Sequence, residues 1–376
     1  MSSLHETAQL ALDTLLQKPV CGIPAWLINP MEWEMIDRLA GEPLGTYRRD
    51  PLPTYRTMLI NSGCCLLDQW IPVNPLTLGA TGFEAGAQRK ATTGAATIML
   101  DDMDINGPEA VVDHLEHVEF PRMRQTLATF DQAQTAAAIC AQEHAIQTLI
   151  GPAMLKAPYT YVKFPYFRYS QYGYENYFMA YALYPEVMER DFALQADVAL
   201  LYNRAFVQAC QEGGLPPFIR LDHDMAGSRG MLVNIRSLDY LWFPHFIRCL
   251  APVQQAGVRM LWHCDGNLSA MVPRLLDVGL HGFQGFQYED GMDYPAICRM
   301  KTRTGDPLII IAGVSVTRTL PYGTPDDVRR ELKWLVENGP TTGLFLGASS
   351  SITPGVPWAN LQTLVEGFHY YREHGR

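Results

Sequence analysis

Several features that mark whole classes of protein are missing from this sequence. Its 376 residues carry 29 basic and 39 acidic side chains, a formal charge of −10, and no cluster of lysine and arginine. Because phosphate binding needs a basic surface, nucleic acid is not expected as the main partner. No stretch approaches the roughly 18 consecutive apolar residues of a membrane helix, and the N-terminus lacks the apolar core of a secretory signal. We therefore expect a cytoplasmic protein that does not enter a membrane.

Cysteine pairs and nucleotide-binding motifs are also missing. The eight cysteines form no CxxC pair, and disulfides are rare in large chains without an export signal. Most of the cysteines are therefore expected to be small buried hydrophobic residues. The sequence contains no GxGxxG or P-loop pattern and no GxSxG nucleophile elbow. These absences argue against a nucleotide site and against serine-hydrolase chemistry.

Apolar runs that predict buried strands alternate with helical stretches through the second half of the chain. Strands are predicted at 215–226, 257–267, 279–287, 308–316 and 343–351, and in the first half at 24–29, 57–61, 64–71 and 159–167. Helices are predicted at 31–39, 109–128, 131–147, 185–212 and from Thr324 to Gly339, whereas 72–108 is expected to be irregular or a small hairpin.

This alternation determines the expected fold class. Near-continuous apolar strands separated by helices are typical of a parallel sheet that is covered on both faces. Nine strand candidates, of which at least one is expected to be spurious, favour one α/β domain over 1–376, a (β/α)₈ TIM barrel. Residues 1–110 are expected to form irregular N-terminal additions to it. An open doubly wound sheet is the alternative.

Ionisable residues end two consecutive predicted strands. Asp222, His223 and Asp224 close the first, and His263 and Asp265 close the second. The carboxyl ends of barrel strands are where such enzymes hold their active sites. Alternate strand residues share a face, so the last two side chains can meet at one centre. They could bind zinc, or act as a general acid with its orienting partner.

Each cluster also has a purely structural explanation. The first can cap a turn and pair with Arg229, while His263 can bond to backbone and Asp265 can cap the next helix. Gln284 and Gln287 interrupt an apolar strand, so they either contact polar groups of a substrate or bond to loop backbone. The aromatic-rich segment 159–178 is typical of a core, but it could also line a site for a flat ligand.

Five segments, taken together and in order, resemble the uroporphyrinogen decarboxylase superfamily. They are GYENYFMAYALYPEVM (173–188), LDHDMAGSRGMLVN (221–234), WHCDGNLSAMVPRLLDVGLHGFQGFQ (262–287), GVSVTRTLPYGTPDDVRRELKWLVENG (313–339) and TPGVPWANL (353–361). That superfamily is built on a (β/α)₈ barrel. Its members decarboxylate uroporphyrinogen, or transfer methyl groups between methylated substrates, corrinoid proteins and thiol or folate acceptors.

Departures from the family patterns distinguish between its branches. True decarboxylases share an arginine-rich segment of the form RPxWxMRQAGRY. The comparable place here reads IPAWLINPMEWEMIDRLAGEP (23–43), without the arginine at the tryptophan motif and without the RQAGR core. Thiol-methylating members bind zinc through His-x-Cys and a distant cysteine. Here His263 matches the histidine, whereas Asp265 and Ser350 stand where the two cysteines would be. The resemblance therefore implies the methyltransferase branch without its thiolate zinc site.

We accordingly expect a methyltransferase that moves a methyl group between a small methylated compound, such as a methoxylated aromatic, and a corrinoid on a partner protein. No cofactor is expected to be covalently bound, zinc at His263 and Asp265 is one alternative, and a homodimer is compatible with the sequence. The residues expected to act in catalysis are His263, Asp265, Asp222, His223 and Asp224, and those expected to bind substrate are Gln287, Gln284, Tyr174, Glu175 and Ser350. The alternatives are a decarboxylase or lyase acting on a small carboxylic acid or porphyrinogen, and a non-catalytic protein that binds a tetrapyrrole or corrinoid.

Overall fold

One parallel sheet of eight strands organises the chain. The computed structural model describes residues 4–73, 98–285 and 287–376. In chain order the strands are β1 (Ala25–Trp26), β2 (Cys64–Leu67), β3 (Leu155–Lys156), β4 (Phe218–Asp222), β5 (Arg259–His263), β6 (Gly282–Gln284), β7 (Ile309–Val314) and β8 (Leu344–Ala348). Their order in the sheet is β3-β2-β1-β8-β7-β6-β5-β4, and every neighbouring pair is parallel.

The sheet is curled, as in folds of the TIM type. Its two edge strands, β3 and β4, follow one another in the chain, and an isolated parallel bridge joins Tyr159, just after β3, to Arg220 in β4. All carboxyl ends of the eight strands lie at the same rim because all the strands run in the same direction. Side chains that follow different strands are thereby brought close together.

Helices surround this sheet. Those before β4 are Glu6–Leu15, Trp33–Ala40, Thr46–Arg49, Pro51–Asn61, Pro108–His114, a π-helical turn at Leu115–Glu119, Phe120–Thr129, Gln132–Ile150, Tyr169–Tyr172, Tyr174–Leu183 and Pro185–Gly213. Those after β4 are Ile235–Leu241, Phe243–Gln255, Val272–Val278, a 3₁₀ turn at Tyr288–Asp290, Tyr294–Arg299, Thr319–Tyr322, Pro325–Asn338 and Trp358–His374. Two short hairpins pair Met99–Leu100 with Met103–Asp104, and Ala226–Gly227 with Gly230–Met231. In the part of the chain that is described, no helix combines the length and apolarity that crossing a bilayer would require.

The helix Pro325–Asn338 shows how local sequence determines an element. Thr324 and Asp327 form a reciprocal capping box, and Pro325 occupies the first turn, where its missing N–H costs nothing. Val328, Leu332, Leu335 and Val336 are buried on one face. The helix predicted from Thr324 to Gly339 is therefore confirmed. The face that it buries is the one that the apolar spacing indicates.

Two strand predictions in the first half are wrong. Residues 57–61 belong to the helix Pro51–Asn61, because a short apolar run fits either periodicity and the proline at its start favours the helix. Residues 159–167 form no strand, apart from the isolated bridge at Tyr159. Thr160 has a positive φ of 66°, which interrupts extended backbone. The strand lies earlier, at Leu155–Lys156.

The N-terminal part supplies two strands of the sheet. β1 lies within the predicted strand 24–29 and β2 within the predicted strand 64–71. The hairpin at Met99–Asp104 falls within the stretch 72–108, whose residues 74–97 lie outside the described residues.

Candidate active site

Polar side chains from neighbouring strands lie side by side at the carboxyl rim of the sheet. Asp222 at the end of β4 pairs in register with His263 at the end of β5. His263 in turn pairs with Gln284 at the end of β6. The two clusters of ionisable residues are therefore adjacent, and His263 lies between Asp222 and Gln284.

His263 is enclosed and points one ring nitrogen at two carboxylates. Its Nε2 lies 3.9 Å from Oδ1 of Asp222 and 3.9 Å from Oδ1 of Asp265, and its side chain is 11% exposed. Its Nδ1 is buried and has no hydrogen-bond partner among the described residues. The ring packs on the backbone of Gly285, where an added Cβ would come within 2.4 Å of Nδ1. Gly285 also has a φ of +79°, so this position suits glycine on both counts.

Asp222 is held in its ionised form. The hydroxyl of Tyr159 donates to its Oδ2 at 2.7 Å, and Nη1 of Arg220 donates to the same oxygen at 2.8 Å. Burial favours the neutral acid, but the charges of His263 and Arg220 and these hydrogen bonds outweigh it and lower the pKa of Asp222. This carboxylate is therefore an acceptor and a negative charge, not a proton donor.

Arg220 is a buried cation beneath this rim that the sequence analysis did not identify. It is 2% exposed, and its Nε donates to Oδ2 of Asp68 at 2.7 Å. Asp68 also accepts a hydrogen bond from Nε1 of Trp26 at 3.0 Å. Burial opposes the charge of Arg220, but Asp68 and other neighbours outweigh it and raise the pKa of the guanidinium. The signal was present in the sequence: Arg220 interrupts an apolar strand and shares a face with Asp222.

Asp265 differs from Asp222 in the direction of its pKa shift. Burial raises its pKa, against the opposing charge of His263. Oγ of Ser350 donates to its Oδ2 at 3.3 Å, while its Oδ1 is buried without a hydrogen-bond partner among the described residues. Its backbone N–H donates to Oδ1 of Asp224 at 2.9 Å. The structure thus brings together Asp224, Asp265 and Ser350 with His263.

Asp224, His263 and Asp265 form a set of side chains that fits a cation. One ligand atom from each lies within 4.8 Å of the others. The donors are carboxylate oxygens and an imidazole nitrogen. Cys264 points elsewhere: its thiol is 1% exposed and donates to the backbone oxygen of Asp265 at 3.1 Å, and burial raises its pKa to about 12. The residues therefore fit a metal held by oxygen and nitrogen, and they do not fit a thiolate zinc site.

His223 lies apart from this group. Its ring is surrounded by aromatic side chains, and its Nε2 accepts a hydrogen bond from the backbone N–H of Phe167 at 2.9 Å. Burial lowers the pKa of His223 to about 4. It is therefore neutral at physiological pH and acts here as a packed hydrogen-bond acceptor. The adjacent positions of His223 and Asp222 in the strand direct their side chains to different surroundings.

The other predicted substrate-binding residues lie in three different places. Gln284 is 3% exposed, and its Oε1 accepts from Nη1 of Arg220 at 3.4 Å, so it lies within the polar network. Gln287 accepts a hydrogen bond from the backbone N–H of Gly266 and stabilises the turn after β5. Tyr174 and Glu175 are exposed in the first turn of the helix Tyr174–Leu183.

Tyr174 is connected to the site through stacked rings. It stacks on Tyr169 with ring centroids 4.5 Å apart, and Tyr169 stacks on His223 at 5.8 Å. The hydroxyl of Tyr169 donates to the backbone oxygen of Asp224 at 2.9 Å. These rings form an aromatic flank beside the carboxylates.

Comparison with known proteins gives a structural neighbour. The chain is similar in fold to a methyltransferase from Methanosarcina mazei. The similarity covers 98% of this chain and 99% of the other, with a TM-score of 0.57 and 16% sequence identity. No protein-family model matches the sequence, and no curated protein matches it. At this level of identity, the neighbour shows a shared fold.

Proposed function

We propose that this chain is a methyltransferase that moves a methyl group from a small methylated compound, such as a methoxylated aromatic, to a corrinoid on a partner protein. We also propose that the curled sheet closes into a (β/α)₈ barrel through the bridge between Tyr159 and Arg220. The observation that carries the functional proposal is the position of His263 and Asp265 at the carboxyl rim of a sheet whose fold is shared with a methyltransferase. The five segments that resemble the superfamily support it.

The chemistry requires that the oxygen leaving the methyl group be neutralised. When the carbon–oxygen bond breaks, the electron pair stays on oxygen, and an alkoxide or phenoxide is a poor leaving group without a proton or a Lewis acid. A reduced corrinoid on the partner protein, as the methyl acceptor, would provide the electron pair for the new bond to the methyl carbon. Asp265, whose pKa is raised by burial, retains a proton to higher pH than an exposed aspartate and can deliver it to that oxygen, with His263 adjacent.

The surrounding residues have orienting roles in this proposal. Asp222, held ionised by Arg220 and Tyr159, places a negative charge 3.9 Å from Nε2 of His263. Ser350 holds one oxygen of Asp265, which leaves the other directed at His263. In place of the proton from Asp265, a divalent metal ion held by Asp224, His263 and Asp265 would supply Lewis acidity for the same leaving oxygen.

Single-turnover methyl transfer tests the proposal. Purified protein is mixed with methoxylated aromatic donors and free reduced cobalamin, and the loss of the reduced cobalamin absorbance is followed. We expect His263→Ala combined with Asp265→Ala to slow transfer by about 10²–10⁴-fold. The matched control is Asp326→Asn, which removes a carboxylate that is 77% exposed on an outer helix.

The two outcomes that would overturn the proposal are distinct. Wild-type rates in the double alanine variant would show that the rim site is not used. Release of carbon dioxide from small carboxylic acids, without methyl transfer from any donor, would favour the lyase chemistry that the fold also accommodates.

A further inference from the structure

Two carboxylates at the rim, those of Asp224 and Asp265, each have one oxygen engaged in a hydrogen bond. Oδ1 of Asp224 accepts the backbone N–H of Asp265, and Oδ2 of Asp265 accepts the hydroxyl of Ser350. Oδ1 of Asp265 is buried and has no partner in the described chain. Each carboxylate is therefore fixed by one oxygen, and the second oxygen of Asp265 is left without a partner.

His263 supplies an independent indication that something lies between these groups. It is 9% exposed, and its side chain makes no hydrogen bond within the described residues, although its Nε2 faces two carboxylate oxygens at 3.9 Å. That separation is too long for a hydrogen bond. Two ligands of one ion, each about 2.0–2.2 Å from it, lie at most roughly 4.4 Å apart. The 3.9 Å between Nε2 of His263 and Oδ1 of Asp265 suits a shared ion better than a direct contact.

Asp222 does not belong to the ligand set, although it is equally near His263. Its Oδ2 is engaged by Tyr159 and Arg220, and the guanidinium already balances its charge. Asp224 and Asp265 have no arginine or lysine partner among the described residues. The surplus of negative charge therefore lies on the side of His263 where Asp224 and Asp265 meet.

We propose that Asp224, His263 and Asp265 bind one divalent first-row cation, with Asp224 as the third ligand and Ser350 orienting Asp265. Two carboxylate oxygens and one imidazole nitrogen favour Mn²⁺, Co²⁺ or Zn²⁺ over a soft ion such as Cd²⁺, because no thiolate is within the set. The inference rests on the site of the proposed function and not on its reaction, so metal binding is measured without substrate.

Calorimetric titration of chelator-treated protein with Mn²⁺, Co²⁺, Zn²⁺ and Cd²⁺ tests the inference. We expect one cation per chain, and a visible Co²⁺ spectrum without the near-ultraviolet charge-transfer band of a thiolate ligand. Asp224→Asn and His263→Ala should abolish saturable binding, while Ser350→Ala should weaken it by about 10–100-fold, as loss of an orienting partner does. Circular dichroism and a thermal melt establish that each variant is folded.

A second group in the described residues provides the matched control. Asp101, His114 and Glu119 also place ligand atoms within 4.8 Å of one another, but both ring nitrogens of His114 are already bonded, to Tyr172 and Asp101. Glu119→Gln should therefore leave binding unchanged. The inference is overturned if that variant loses the cation, if Asp224→Asn retains it, or if Cd²⁺ binds with a thiolate charge-transfer band. Methyl transfer by protein that binds no cation would overturn the metal site while leaving the proposed function intact.

Discussion

Replacing Arg220 with methionine tests how much the buried ion pair between Arg220 and Asp68 contributes to the stability of the fold. Arg220 and Asp68 have side chains that are 2% and 0% exposed, and their Nε–Oδ2 distance is 2.7 Å. Methionine retains much of the length and apolar volume of arginine but leaves Asp68 as a buried charge without its cation. Removing one partner of a buried pair costs about 3–5 kcal/mol of the free energy of unfolding. We expect Arg220→Met to cost that much.

The double variant with Asp68→Asn separates lost packing from the stranded charge. An asparagine at 68 keeps an oxygen that can accept the hydrogen bond from Nε1 of Trp26. Replacing both members of a buried ion pair with uncharged residues often changes the free energy of unfolding little. Adding Asp68→Asn to Arg220→Met should therefore restore most of the lost stability. Asp222 keeps its hydrogen bond from Tyr159 in both variants and is 33% exposed, so water can take over part of its stabilisation.

Urea unfolding followed by tryptophan fluorescence, with linear extrapolation, measures these differences. Arg329→Met is the matched control, because its ion pair with Asp326 is 57% and 77% exposed and should contribute less than about 1 kcal/mol. The reasoning is refuted if Arg220→Met unfolds within about 1 kcal/mol of wild type. It is equally refuted if Asp68→Asn makes the single variant less stable instead of more.

Two further predictions concern His223 and Gly285. The pKa of His223 is about 4 in the folded protein, below its ordinary value of 6.5. As the pH falls, His223 is therefore protonated in the unfolded chain before it is protonated in the folded one. Its contribution to the free energy of unfolding is complete above pH 6.5 and is lost towards pH 4, by up to roughly 3 kcal/mol. In His223→Gln, glutamine can still accept the hydrogen bond from the N–H of Phe167, so the urea midpoint should change less with pH over that range. A midpoint that falls as steeply with pH as in the wild type would contradict this. Gly285→Ala should displace the ring of His263 and weaken Co²⁺ binding. Gly355→Ala controls for backbone strain alone, because Gly355 has a φ of +89° and open space around it.

Long apolar strands made the carboxyl rim predictable from the sequence. β5 and β7 lie within the predicted strands 257–267 and 308–316. A largely apolar run of five or more residues that ends at polar residues indicates a buried strand clearly. The two-residue strand β3 offers no such signal, and its position follows from pairing with β2. Arg220 was missed for a related reason: an interior charge depends on a partner, and Asp68 is far away in the sequence.

The approach of Asp224 to Asp265 depended on tertiary contacts that no local pattern encodes. The turn after β5 is held to the loop after β4 by a hydrogen bond from the N–H of Asn267 to the oxygen of Gly227 at 2.9 Å. An added Cβ at Gly266 would lie 2.6 Å from the carbonyl carbon of Gly227, so the two segments touch only because glycine stands there. The sequence predicted that both clusters share a rim, whereas this backbone contact determines which carboxylates meet.

The charges of the assembled network connect the two proposals. Among the described residues, Asp68 and Asp222 share the cation of Arg220, whereas Asp224 and Asp265 have no arginine or lysine partner. Positive charge beside the last two can come from a proton, in keeping with the raised pKa of Asp265, or from a metal ion. Both would serve the same step, because the oxygen that leaves a methyl group needs positive charge where its negative charge develops.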